Sequence, residues 1–193
     1  MRLILFDRDM DRRAHFYPLS LSRPVWELRC GMTSLGQKLQ ARTGAADVDC
    51  FVTHYMAAAY AARVEQPVNQ PGSLAGDDLL LVDGRVKAES LTVDPAGPGE
   101  VGLGPDGEVL YARIPAAELA KLQAKGIDAL LAAAAKALPT VPADVQTWNY
   151  TWDLILAGPE QITADFQAAG RSGIEGEVEE PKAIRGSGKD VYV

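Results

Sequence analysis

The sequence predicts an α/β domain, and three observations carry the prediction. "RLILF" (2–6) is apolar at every position after Arg2, the pattern of a strand covered on both faces. "TSLGQKLQARTG" follows a polar loop and reads as a helix over 34–42. "VDCFVT" (48–53) is a second strand and "HYMAAAYAARV" (54–64) a second helix. A chain that runs strand, loop, helix, strand, helix is opening an α/β fold.

Each element has a local reason. The loop from Asp7 to Arg23 is long, polar and rich in arginine. Ser34 and Gln37 stand three apart as a capping box would, and Gly44 is placed to stop the helix. "LLLV" (79–82) is a third buried strand ending at "DGR". "EVGLGP" and "EVLYARI" read as a hairpin, because Asp106-Gly107 between them is a strong tight-turn signal. Pro115 opens a helix and Gly126 closes it. "IDALLAAAAKAL" makes another helix, stopped by Pro139. "WDLILAG" and "PEQITADFQAAG" are helical and separate at Gly158-Pro159, with Leu154, Ile155, Ile162 and Phe166 at roughly helical spacing. From residue 173 the character changes to Gly-rich, β-prone pieces without a helix. The expected division is therefore 1–172 and 173–193, the second part reading as the start of a further element.

Composition narrows the function. The 193 residues are 47% hydrophobic, enough for a sizeable core. The net charge of −7 argues against a broad basic face for nucleic acid. The first thirty residues nevertheless carry six arginines (Arg2, Arg8, Arg12, Arg13, Arg23, Arg29) against four acids (Asp7, Asp9, Asp11, Glu27). An arginine cluster in an acidic protein suits a small anion, since the planar guanidinium fork matches phosphate oxygens in pairs. Cys30 and Cys50 show no metal spacing, and a reduced, cytoplasmic setting is the expectation. The first apolar run is too short for a signal peptide, and no stretch is long enough to span a membrane.

Ligands of open α/β sheets sit beyond the carboxyl ends of the strands. The loop after the first strand is in that place, and Arg12, Arg13 and Arg23 there could meet a diphosphate or triphosphate. The alternative is a solvated loop whose arginines pair with Asp7, Asp9, Asp11 and Glu27. No glycine occurs before Gly31, so side chains rather than a backbone cradle would bind the anion. Asp83, just past the third strand, fits a Mg²⁺ ligand, an ion that takes one or two carboxylates plus phosphate oxygens. The competing reading makes Asp83-Gly84 a hairpin turn. The aromatics of "TWNYTWDLI" are expected in the core or at a subunit contact, with Asn149 or Asp153 as helix caps. His15 and His54 have no recognisable Ser or Cys partner. There is no nucleophile elbow, zinc motif or P-loop.

"LILFD" followed by "YPLSLSRPVWELRCGMTSLGQKL" resembles the start of a group of sugar nucleotidyltransferases, themselves similar to the uridylyltransferase half of the bifunctional N-acetylglucosamine-1-phosphate uridylyltransferase. The carrying residues are Pro18, Leu19, Ser20, Ser22, Arg23, Pro24, Glu27, Leu28, Arg29 and Gly31, with support from "LLLVDGRV" and "TWDLILAGPEQITADF". The resemblance implies a three-layer α/β/α, Rossmann-like fold of the nucleotide-diphospho-sugar transferase type. It also implies a left-handed β-helix beginning in 173–193, which would make the full assembly a homotrimer. The implied partners are an NTP and a sugar-1-phosphate, with Mg²⁺ as cofactor. The implied site is Arg23 as the catalytic contact, Asp7, Arg12, Arg13, Ser22, Arg23 and Glu27 as nucleotide and phosphate binders, and Asp83 on the metal. Glu27 would orient Arg23 or Arg29. Two departures stand out: the Gly-rich "L-x-x-G-x-G-T-R" loop of well-studied members is missing, and Asp83 and Gly158 stand where the group has Asn. They keep a rival open, a degenerate transferase domain that binds a sugar nucleotide or supports a β-helix acyltransferase. A third reading is an interaction domain that uses "TWNYTW" as its contact patch.

Overall fold

The computed structural model describes residues 1–122, 124–173, 187, 191 and 192. Its sheet is built around β1 (Arg2–Asp7), whose Leu3, Ile4, Leu5 and Phe6 are all buried. The chain then forms α1 (Met10–Ala14), the short hairpin β2 (Arg29–Cys30) and β3 (Thr33–Ser34), α2 (Leu35–Thr43), β4 (Asp47–Val52) and α3 (His54–Ala61). β5 (Leu79–Asp83), β6 (Glu100–Leu103), β7 (Val109–Ile114), α4 (Ala116–Leu122), α5 (Ile127–Ala137), β8 (Thr140–Pro142), α6 (Thr151–Leu156) and α7 (Gly158–Ala169) complete it.

The main sheet has the order β4-β1-β5-β7-β6-β8. β4 and β5 flank β1 in parallel, while β7 runs antiparallel to both β5 and β6. Alternate residues of the central strands serve opposite layers. Leu3, Leu5, Cys50, Val52, Leu80 and Val82 pack with Leu39 of α2 and Met56 and Tyr60 of α3. Ile4, Phe6, Phe51, Leu79 and Leu81 pack with Leu119 of α4 and Ile127, Leu130 and Ala134 of α5. Each central strand is thus covered twice, which is why its sequence shows no polar alternation. This is the expected three-layer α/β/α arrangement. β1 is joined to β4 on one side, and the chain returns to β5 on the other. Strand order therefore reverses at β1, and its carboxyl end is the topological switch point where α/β proteins bind ligands.

Most expected elements form. Ser34 and Gln37 make the capping box, and Gly44 ends α2 at φ +65°. β6 and β7 make the Asp106-Gly107 hairpin, with Gly107 at φ +81°. The differences have local causes. The loop 7–23 is partly helical, because the Asp9 side chain accepts from the Asp11 and Arg12 amides and starts α1. α3 stops at Ala61 rather than Val64. β2, β3 and β8 have two or three residues each, too few to show a period. Asp83-Gly84 does not turn a hairpin: β5 pairs with β7, and Val86 bridges Thr147.

Gly84 is required by a close approach instead. A Cβ there would lie 2.7 Å from Cε3 of buried Trp26. Gly84→Ala is expected to destabilise by about 1–3 kcal/mol through overpacking. Coincident urea midpoints for variant and wild type would show that Trp26 moves aside freely.

Trp148 is buried with Phe16, Val25, Leu28, Cys30, Leu35 and Leu154 in a small core under the first loop. The other aromatics of that segment leave the core: His15 stacks on Tyr150 at 4.6 Å, and Tyr150 on half-exposed Trp152 at 4.4 Å. Asp153 accepts from the Asn149 and Tyr150 amides and so caps α6, while Asn149 does not. α7 is tied back to the β2–β3 hairpin by Asp165, which pairs with Lys38 and accepts from the Met32 and Thr33 amides. Gly173 bridges Tyr192. The β-helix coil expected in 173–193 otherwise lies outside the described residues. Among the described residues no helix is long and apolar enough to cross a membrane.

Candidate functional site

At the switch point the carboxylate of Asp7 is almost wholly buried. Its Oδ2 accepts from Arg13 Nε at 2.9 Å and from the Val25 amide at 3.0 Å. Arg13 is fully buried and also donates to Tyr55 Oη at 2.6 Å and to the Arg23 carbonyl at 3.2 Å. One carboxylate therefore anchors both limbs of the loop that carries Arg23.

Burial pushes the Asp7 pKa up from 3.8 to about 6, with Arg13 and the Val25 amide pulling the other way. The folded chain then holds a proton that the unfolded chain has released. The contribution of Asp7 to stability accordingly falls as pH rises from about 4 to about 6, and levels off above. Asp78 and Asp165 shift downward and contribute with the opposite sign. The advantage of wild type over Asp7→Asn should thus shrink between about pH 4 and pH 6. Urea midpoints check it, and a constant difference would mean that Asp7 does not titrate there.

Asp83 ends the neighbouring strand and is equally covered. Its Oδ1 accepts from the Arg85 amide at 2.8 Å and Arg85 Nε at 3.0 Å, and its Oδ2 from Arg85 Nη2 at 2.9 Å. Burial raises its pKa against the pull of Arg85. Asp9 caps α1 with Oδ1 and pairs with Arg12 through Oδ2 at 3.2 Å. Arg12 also pairs with Asp106 and Glu108 of the β6–β7 turn, and Arg8 with Asp128. A Mg²⁺ ion needs carboxylate oxygens that no guanidinium already holds. As placed, Asp83 has both oxygens held by Arg85, while Asp7 and Asp9 each give one oxygen to a guanidinium. Among the described residues no group of three or more His, Cys, Asp or Glu side chains could hold a metal ion.

Arg23 is different. Its side chain is exposed and has no hydrogen bond or ion pair among the described residues. It stands with Glu27 and Arg29 between two hollows. The first, about 400 Å³, is polar: Arg63, Ser34, Gln37 and Gln40 join them around Trp26 and Tyr60. The second, about 450 Å³, adds Leu19, Leu28, Leu154 and Ile155. Trp26 Nε1 donates to Tyr60 Oη at 3.0 Å, which fixes the wall. Arg63 pairs with Glu27 at 3.3 Å and donates to the Ser22 carbonyl. Arg29 donates to the Met32 carbonyl and has no carboxylate partner among the described residues.

The structure thus brings Arg23 and Glu27 together at one hollow, whereas Ser22 lines neither hollow and only accepts from Arg63 through its carbonyl. Asp7 and Arg13 line neither hollow and anchor the loop through the Val25 amide and the Arg23 carbonyl, Asp83 is held by Arg85, and Arg12 is held among acids beside the β6–β7 turn. Glu27 orients Arg63, not Arg23 or Arg29. Arg63, two residues past the end of α3, is the residue that sequence reasoning missed, and nothing in "AAAYAARV" singles it out.

The sequence model of the family described as "Sugar nucleotidyl transferase" matches residues 3–172. No curated protein matches the chain. Among solved structures it is similar to a Bacillus anthracis protein described as a glucose-1-phosphate thymidylyltransferase, crystallised in complex with a sucrose. That match covers 84% of this chain and 95% of the other, at 9% identity and a TM-score of 0.50. At such identity the likeness concerns the fold.

Proposed function

This chain belongs to the sugar nucleotidyl transferase family, and we propose that it joins a nucleoside triphosphate to a sugar-1-phosphate, with the phosphates held at the polar hollow beside Arg23. One observation carries the reading. Of the six arginines in the first thirty residues, Arg23 alone has a side chain with no hydrogen bond or ion pair among the described residues, and it faces a hollow that also holds Arg29 and Arg63. An exposed cation without a partner, beside two others, is arranged for an anion that comes from outside.

In the proposed reaction an oxygen of the sugar-1-phosphate attacks the α-phosphorus of the NTP. The bond from that phosphorus to the bridging oxygen breaks, and pyrophosphate leaves. Such a transfer needs alignment and charge neutralisation more than covalent chemistry. Arg23 and Arg29 would neutralise the phosphates, and Arg63 would be steered by Glu27. Asp7 and Arg13 would act as positioning residues that set the loop.

The test is pyrophosphate release when UTP or dTTP is offered with glucose-1-phosphate or N-acetylglucosamine-1-phosphate. Release that depends on both substrates supports the transferase. Binding of the nucleotide sugar without release from any pair supports the second reading, a domain that binds but does not turn over. That reading is favoured by the Arg85 guanidinium lying across Asp83, where a metal-dependent transferase would need free oxygens.

A further inference from the structure

We infer that this hollow takes a diphosphate group as the free anion, without a divalent cation. The inference rests on the proposed anion site and names how that site neutralises charge.

The acids at the carboxyl ends of the strands are already neutralised from within the chain. Asp83 receives three hydrogen bonds from Arg85 across its two oxygens, and both residues are buried. Asp7 is held through Oδ2 alone, which accepts from Arg13 and from the Val25 amide, and Arg13 is fully buried. A cation could reach Asp83 only by displacing the buried Arg85 guanidinium, and at Asp7 it would meet one oxygen beside buried Arg13. Asp9, in the loop after β1, is divided between the α1 amides and Arg12. Among the described residues these three acids thus leave a magnesium-bridged phosphate one Asp7 oxygen, beside the buried Arg13 guanidinium, and neither oxygen of Asp83.

The charge a phosphate needs is supplied a short way along the same loop. Arg23 is unpaired among the described residues, and Arg29 bonds a carbonyl only. Arg63 is paired with Glu27 across an exposed contact. Each fork can take two oxygens of a diphosphate. Mg²⁺ bound to the diphosphate would occupy those oxygens and cancel two of its charges. In this site magnesium competes with the arginines instead of assisting them.

The test is calorimetric titration of the whole chain with inorganic pyrophosphate, in EDTA and in excess Mg²⁺ at matched ionic strength. The expected result is binding in EDTA that excess Mg²⁺ weakens, and that Arg29→Gln weakens in EDTA. Binding that is equal or tighter in Mg²⁺ overturns this inference and leaves the anion site standing. Absence of binding in both buffers overturns the anion site and the inference together. Wild-type affinity in Arg29→Gln overturns the placement at this hollow.

Discussion

Arg13→Ala is expected to lower the stability of the domain by about 3–5 kcal/mol, the cost of leaving one member of a buried ion pair alone. For a chain of this size that corresponds to a fall in Tm of roughly 10 °C. The guanidinium is fully buried, and its bonds run to Asp7, Tyr55, Met56 and the Arg23 carbonyl. Removing it strips an anchor from β1, from α3 and from the loop at once. It also leaves the Asp7 carboxyl with burial and without its main opposing charge. Its pKa must then rise beyond the wild-type value. A folded-state pKa raised further means stability lost as pH climbs through that higher value. The variant should accordingly recover part of its deficit on acidification toward about pH 5, more than wild type does. Urea titrations at two pH values decide it. A variant with wild-type midpoints would show that the loop is held by Val25 and its small core alone.

The fold was largely legible because its central strands are unbroken apolar runs and its first long helix carries both caps in the sequence. Leu3 to Phe6 and Leu79 to Val82 are buried, and short unbroken apolar runs bounded by polar residues suit strands covered on both faces. The site was legible only in part, since charge pairing is a property of distant segments. Arg12 meets Asp106 at a sequence separation of 94, and Arg8 meets Asp128 at 120. No spacing rule in the first thirty residues distinguishes those arginines from Arg23. "DGR" illustrates the same limit. Both Asp-Gly readings, hairpin turn and metal ligand, were reasonable for the tripeptide. What decided its structure was Trp26 packing against Gly84 and Arg85 folding back on Asp83, and Trp26 comes from another part of the chain.

Arg23→Ala should weaken nucleotide binding about ten- to a hundredfold, the range for losing one charge-assisted, forked phosphate contact. The same substitution should leave the urea midpoint nearly unchanged, because an exposed side chain without partners contributes within about 0.5 kcal/mol to folding. The combination matters, since Arg13→Ala would also reduce binding, but by loosening the loop and with a large loss of stability. Arg12→Ala completes the comparison. Arg12 follows the first strand as Arg23 does, yet it is held among Asp9, Asp106 and Glu108. A phosphate at Arg12 would have to approach three carboxylates, which repel it. Affinity in Arg12→Ala is therefore expected to stay within about twofold of wild type, with a slope against salt that is unaltered. In Arg23→Ala that slope should flatten, because one fewer cation faces the ligand. The reverse pattern, loss in Arg12→Ala and none in Arg23→Ala, would move the phosphates to the α1 side of the switch point. It would also require the β6–β7 turn to swing away from Arg12 when the ligand arrives.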